Sequence, residues 1–424
     1  MTYDGWEQTG HLLVSFGQFF LNPMLYLFVL LIYLHYRKQM LLERQLFAAK
    51  LQSPFAQTMR SIGMGLVGGL SVSLVSAGLG IVIHAQDLWM LWILAICLAF
   101  VKIRFLCFAY AAGLLGIVKS IASLFPRGAE TTGIGTVWNL LQETNAVSLL
   151  ALVAVLHLAE ACLIRGNGGR DASPLFIEGK RGRIIGAYQL HSFWLTPLVL
   201  FVQAPEDGLA LSLYAGWPLF AEGTSVLQLM FLPAVTGFSD LTQTMTPWEK
   251  SRVSSKQLIL YALLLLVLAY AAAQFAPLLP IAALFAIFGH EGLLWLSRSL
   301  EHSRSPYFIQ SSQGVKVMAV IPGTPAAEIG ILPGEIIVKV NGAMVKTKED
   351  FYPALQINPA FCKMEVLTHG GEIKFVQCAI YAGNHHQLGI IVVPDSTTQL
   401  FVDIRRSSLV QLLKQRLEKL KLGA

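Results

Sequence analysis

The chain has 424 residues, 54% hydrophobic and 13% charged, with a mean hydropathy of +0.59. A soluble protein carries roughly twice that share of charge, so most of this chain reads as membrane-embedded, and no nucleic-acid partner is expected. The net charge of +6 tells less than its placement, because the basic residues gather in three loops.

In chain order, apolar runs predict helical spans near residues 17–35, 62–83, 88–104, 105–124, 146–164, 187–204, 212–236, 257–275 and 278–297, since about 20 apolar residues cross the hydrocarbon as a helix. No basic region or small-residue cleavage site precedes the first, "NPMLYLFVLLIYLHY", so it is expected to stay as an anchor. The stretch "GMGLVGGLSVSLVSAGLG" predicts close helix packing. The third and fourth spans meet at "VKIR", where Lys102 and Arg104 would reach the surface, with Trp89 and Trp92 at the opposite interface. The seventh is the weakest, interrupted by Pro218, Glu222 and Pro233.

The basic loops hold Arg37, Lys38, Arg44, Lys50 and Arg60; then Arg165, Arg170, Lys180, Arg181 and Arg183; then Lys250, Arg252 and Lys256. The positive-inside rule makes them cytoplasmic. Nine spans then put the N-terminus outside and everything after Arg298 inside. Two stretches, "QSPFAQTMRSIGMGLVGG" and "ASPLFIEGKRGRIIGAYQ", each follow a basic loop and suggest an internal repeat. The five cysteines include no CxxC pair, which argues against a zinc or thioredoxin site.

The division expected is a helical membrane domain over 1–298, a link over 299–311, a soluble domain over 312–395 and a tail over 396–424. In the soluble domain, "GVKVMAV" and "EIIVKV" alternate as strands, and "GTPAAEIG" is a helical turn ended by Gly330. "TKEDFYPALQIN" reads as a helix with Thr347 as N-cap, and Pro353 is expected to mark its true start or a bend. "CKMEVLTHGGEIKFVQCAI" reads as a hairpin around His369, Gly370 and Gly371. It sets Cys362 across from Cys378, as reduced thiols if the domain is cytoplasmic.

Residues 312–395 resemble a bacterial PDZ domain, most specifically in "PGTPAAEIGILPGEIIVKVNG". No carboxylate-binding loop precedes Gly314, but "GNHHQLGIIVV" supplies a candidate after the last hairpin, as a further circular permutation would produce. The groove would then lie between Leu388, Gly389, Ile390 and Ile391 on one side and the helix around Phe351 and Leu355 on the other. A peptide would add there as an extra strand. The alternative is an edge strand with no ligand.

The whole pattern is similar to the MinJ family of Gram-positive rod-shaped bacteria, through "FYPALQINPAFCKMEV…GEIKF…HHQLGI" and the first-span stretch "FFLNPMLYLFVLL". The resemblance implies an α-helical polytopic membrane bundle followed by a small α+β PDZ domain. It implies no enzyme and no cofactor, but an adaptor in the cell membrane, enriched at division septa and poles. Such an adaptor links the scaffold DivIVA to the ATPase MinD, and so to the inhibitor MinC.

The enzyme readings lack parts. "HEGLLW" offers His290 and Glu291, but Leu294 stands where HExxH needs its second histidine. "RGNGGRD" lacks a serine, and no soluble stretch is long enough for a serine-protease barrel. A PDZ-regulated transporter is the alternative function, with His157 and Glu160 on one helix face and Lys119 and Glu222 as further intramembrane candidates. The tail, "RRSSLVQLLKQRLEKLKLGA", predicts a basic amphipathic helix for a lipid surface or a partner.

Overall fold

The computed structural model describes residues 17, 19–125, 133–203, 212–220, 226–380 and 388–402. The tail helix, the "GNHHQ" loop and Glu222 lie outside these residues. Local chemistry sets the helix ends. Helix α1 (Pro23–Phe47) starts where the Asn22 side chain accepts from the Met24 N–H at 3.0 Å. Helix α2 (Pro54–Leu79) opens on proline and stops at Gly80, whose φ of +68° is left-handed. A short 3-10 turn, Ile103–Leu106, joins α3 (Ala85–Val101) to α4 (Phe108–Ala122). Then come α5 (Ile134–Glu143) and α6 (Ala146–Asn167), the latter capped by Asn145. Helix α7 (Pro247–Gln274) opens on a reciprocal cap between Thr246 and Glu249. Helix α8 (Leu279–Ser303) runs past the expected boundary at 298.

Among the described residues, α2, α6, α7 and α8 are long and apolar enough to cross a membrane, while α3 and α4 are apolar but shorter. Helix α1 carries Arg37, Lys38, Glu43 and Arg44 in its second half, which shortens its apolar run. Helix α6 is the axis: 72% of its apolar window is buried, against 33% in α2 and α7 and 22% in α8. The outer helices present Leu66, Leu70, Leu74, Val267, Phe288 and Trp295 outward, as a lipid-facing surface requires.

Two expected helical spans, 187–204 and 212–236, are corrected by the structure. Ile184–Gln203 is strand β3 and Leu227–Thr242 is strand β4, paired antiparallel from Tyr188↔Thr242 to Gln203↔Leu227. A strand covered on both faces reads as an unbroken apolar run, the same signature as a span. Strand β1 (Val82–Ile83) runs parallel to the end of β3, and β2 (Ser173–Glu178) pairs with its start. The suggested repeat fails for the same reason, since its first copy enters a helix and its second enters β2 and β3.

An open sheet edge at membrane depth must be covered by protein, because lipid offers its backbone groups no partner. Helix α2 covers β3. The Ser61 hydroxyl donates to the Phe193 carbonyl, and the Ser73 hydroxyl accepts from the Val199 N–H at 2.8 Å. Between them, a Cβ on Gly65 would stand 2.0 Å from the Leu195 oxygen, and one on Gly69 would stand 2.2 Å from the Pro197 oxygen. The spacing follows from geometry. Four helical residues rise about 6 Å, and two strand residues advance about 6.6 Å. So Ser61, Gly65, Gly69 and Ser73 keep step with Phe193, Leu195, Pro197 and Val199. The small-residue stretch therefore serves mainly a strand, while Gly68 is turned to Leu163 of α6. Pro197 sits opposite Pro233. Its backbone faces α2 rather than β4, so its missing N–H costs no ladder bond.

At one end of the bundle, Trp217 Nε1 and the Leu219 N–H bond the last carbonyls of α2, Ala77 and Leu79, at 3.0 and 3.2 Å. At the other end the basic loops collect. Arg60 pairs with Asp171 at 2.8 Å, and Lys180 Nζ donates to the His302 carbonyl at 2.8 Å. Lys250 is not a loop charge of the solubilising kind. It is buried, with Nζ at 3.0 Å from Glu301, 3.3 Å from Asp240 and 2.8 Å from Ser297 Oγ. Arg104 does not simply reach the surface either, since it pairs with Glu291 at 3.1 Å.

The C-terminal domain sits at this basic end. Its sheet runs β10 (Ile390–Val392), β5 (Val315–Val320), β6 (Ile336–Val340), β8 (Phe361–Leu367), β9 (Ile373–Ala379), with β7 (Ala343–Met344) paired to β6. Helix α9 (Pro325–Glu328) and helix α10 (Lys348–Gln356) complete it. Cys362 does face Cys378. Pro353 lies inside α10, whose start is set instead by the Thr347–Asp350 reciprocal cap. The domain is stitched to the bundle. The Gly186 N–H donates to the Phe308 carbonyl at 2.9 Å, the Tyr188 hydroxyl donates to the Met318 carbonyl, and the Val402 N–H donates to the Phe176 carbonyl at 2.7 Å. Phe176, Tyr188, Leu190, Phe308, Met318 and Ile391 form one buried cluster across the junction.

A side chain at Gly65 has no room. Gly65→Leu is expected to lower stability by about 3 kcal/mol or more, the upper range for overpacking. Gly63→Ala, with nothing within 4 Å of its added carbon, should be neutral or slightly stabilising. Thermal unfolding of the detergent-solubilised chain compares the two.

Candidate functional site

The candidate site is the edge of β10 together with α10, whose apolar side chains share one core cluster. Helix α10 is held at both ends. At its start, Asp350 accepts from the Lys346 and Thr347 N–H groups at 3.1 and 3.0 Å, bonds that hold its carboxyl below the usual range. At its end, Asn341 Nδ2 donates to the Ala354 carbonyl at 3.0 Å, while Asn341 Oδ1 accepts from the Lys363 N–H at 2.9 Å. Asn341 has a left-handed φ of +49°. Its side chain thus ties helix to sheet. The helix buries Phe351 and Ala354 and leaves Leu355 half-buried.

Strand β10 pairs antiparallel with β5, placing Ile390 opposite Val320 and Ile391 opposite Ala319. Among the described residues β10 has no other strand partner. The turn into it is built on Gly389. Its φ is +88°, and a Cβ there would lie 1.9 Å from Thr324 Oγ1. The Gly389 and Leu388 carbonyls accept from the Ile321 and Ala326 N–H groups at 2.8 and 3.0 Å, which locks the α9 turn to the edge.

The six expected residues therefore divide. Phe351, Leu355, Leu388 and Ile390 share one apolar cluster of the domain core. Ile391 points to the opposite face, against Phe176 and Tyr188 of the bundle, so it cannot line the same groove. Gly389 supplies backbone shape only. Of the intramembrane candidates, His157 is buried and Glu160 half-buried on α6, and Lys119 Nζ donates to the Gln142 carbonyl at 3.0 Å.

Two outcomes follow. Gly389→Val should lower stability by about 2–3 kcal/mol through backbone strain and the clash with Thr324, read as a drop in melting temperature. Burial pushes the Cys362 thiol from 9.0 up to about 12, with Cys378 adding to it. A raised pKa means the folded form keeps its proton longer, so this contribution to stability is whole below pH 9 and falls as pH rises toward 12. Iodoacetamide should leave Cys362 unmodified at neutral pH, and Cys362→Ala should lose stability less steeply between pH 9 and 11, seen in melting curves.

A PDZ domain model matches residues 316–367, within the sheet described above. The chain is 30% identical over 389 residues to the "Cell division topological determinant MinJ" of Bacillus subtilis (strain 168), covering 91% of this chain and 95% of that protein. It is 28% identical over 369 residues to the "Probable cell division topological determinant MinJ" of Lacticaseibacillus paracasei, covering 84% of this chain and 91% of that protein. Both alignments run through the membrane bundle as well as the PDZ domain, and on that extent the chain belongs to the MinJ family of cell division topological determinants.

Proposed function

We propose that the chain is a membrane-embedded adaptor that connects a DivIVA-like polar and septal scaffold to MinD, and through MinD to MinC. Its task is binding rather than catalysis. The observation that carries the reading is the edge strand β10 of a PDZ domain fastened to a membrane bundle, with Leu388 and Ile390 in the same core cluster as Phe351 and Leu355 of α10. The domain's back face is occupied by the bundle; the sheet ends in β10 and β9, and we assign the partner segment to β10. An extended segment added to β10 would gain backbone hydrogen bonds, and the half-buried Ile390 and Leu355 would select its side chains.

The proposed orientation has the PDZ domain in the cytoplasm and the N-terminus outside. What supports it is the gathering of Arg60, Arg170 and Lys180 at the PDZ end of the bundle. The hairpin correction leaves this unchanged, because β3 and β4 cross and return as a pair. Enrichment at septa and poles belongs to the same proposal.

The test is the position of fluorescent MinD in host cells lacking this gene, with DivIVA imaged beside it. MinD is expected to leave poles and septa and spread along the membrane, while DivIVA stays. Restoring the gene with Leu355→Glu or Ile390→Lys should fail to return MinD, whereas Glu160→Gln should succeed. MinD that keeps its place without the gene would sink the adaptor reading and bring transport assays forward.

A further inference from the structure

Three side chains from three distant parts of the sequence meet inside the bundle. Cys107 caps the start of α4, His157 stands midway along α6, and His290 stands midway along α8. Their donor atoms all lie within 4.8 Å of one another, with Cys107 Sγ at 3.3 Å from His157 Nε2 and 3.6 Å from His290 Nε2. We propose that Cys107, His157 and His290 form a transition-metal site, with Zn2+ as the ion the donors fit best.

The hydrogen-bond network fixes both imidazoles in the ligating form. His157 Nδ1 lies 2.7 Å from the Val153 carbonyl. A carbonyl only accepts, so Nδ1 carries the proton and Nε2 presents a lone pair. The Tyr110 hydroxyl donates to Glu291 Oε1 at 2.8 Å, which leaves its oxygen to accept from His290 Nδ1 at 3.1 Å. His290 Nε2 is then a lone pair as well. Two acceptors thus converge on one thiol, whose single proton satisfies only one of them. His157 is buried and Cys107 and His290 are half-buried, so an unmet acceptor there is costly, and a cation satisfies all three donors at once.

Distances agree with that reading. Zinc bonds of about 2.3 Å to sulfur and 2.0–2.1 Å to nitrogen, at a tetrahedral angle, set sulfur and nitrogen roughly 3.5 Å apart. Thiolate with imidazole is a donor set for zinc or copper rather than for magnesium or calcium. The outer contacts have the usual form for metal-bound histidines, one ring N–H to a backbone carbonyl and the other to a hydroxyl held by a carboxylate. Among the described residues the group has three donors, so a fourth position stays open to water or another ligand. Binding would release the Cys107 thiol proton to solvent. The site exists because α3, at 17 residues, extends only about 25 Å, and the turn to α4 falls at the level of His290.

The test uses the untagged full-length chain in detergent, stripped with a chelator and then given Zn2+ or Co2+ alone. Elemental analysis should find about one zinc per chain, and the cobalt form should show a thiolate-to-metal charge-transfer band. Cys107→Ser should lose the band and most of the zinc, while Cys162→Ser keeps both. Tyr110→Phe should weaken zinc roughly tenfold in chelator competition. No uptake by the native chain, a cobalt spectrum without a thiolate band, or uptake unchanged in Cys107→Ser would each overturn the site.

Discussion

The contact between α2 and β3 sets the frame of the molecule. A helix repeats its face about every four residues and a strand every two, and the two rises nearly coincide. Serines at 61 and 73 and glycines at 65 and 69 use that coincidence to lay a helix along a strand edge. The glycines let backbone meet backbone, and the serines satisfy groups that lipid would leave unpaired. Without this cover, a sixteen-residue hairpin pairing could not stand inside an apolar bundle.

The same hairpin carries the frame out of the bundle. The first residues of β3 pair with β2 and then meet the PDZ domain through Gly186, Tyr188 and Phe308. Apolar burial there is reinforced by backbone bonds from both ends of the domain, at Phe308 and Val402. The PDZ domain is therefore not hung on a slack linker. Its back face is fixed against the bundle by Ile391 and Val393, and the edge of β10 keeps one orientation relative to the membrane helices.

Two sets of polar side chains in the bundle find partners in one another in place of water. Lys250, Asp240, Glu301 and Ser297 do so among themselves and join the end of β4 to α7 and α8. Arg104, Glu291, Tyr110 and His290 do so in a chain across α4 and α8. Both sets link elements far apart in sequence. Their charges, read along the chain, look like loop solubility or isolated intramembrane oddities.

The sequence by itself determined what depends on neighbours within a few residues. Apolar length made α2, α6, α7 and α8 legible as spans, and "GTPAAEIGILPGE" made the PDZ turns legible through Pro and Gly. Equal spacing about Gly370, at the hairpin tip, was enough to pair Cys362 with Cys378. What only the tertiary structure decided is which surface each apolar segment meets. Continuous hydrophobicity records burial but not its geometry, so β3 and β4 read as helices. Alternation within three residues of strand is too short to show that Ile391 turns toward the bundle while Ile390 turns toward the PDZ core. Cys107, His157 and His290 carry no shared spacing, and only the packing of three helices brings them within reach of one another.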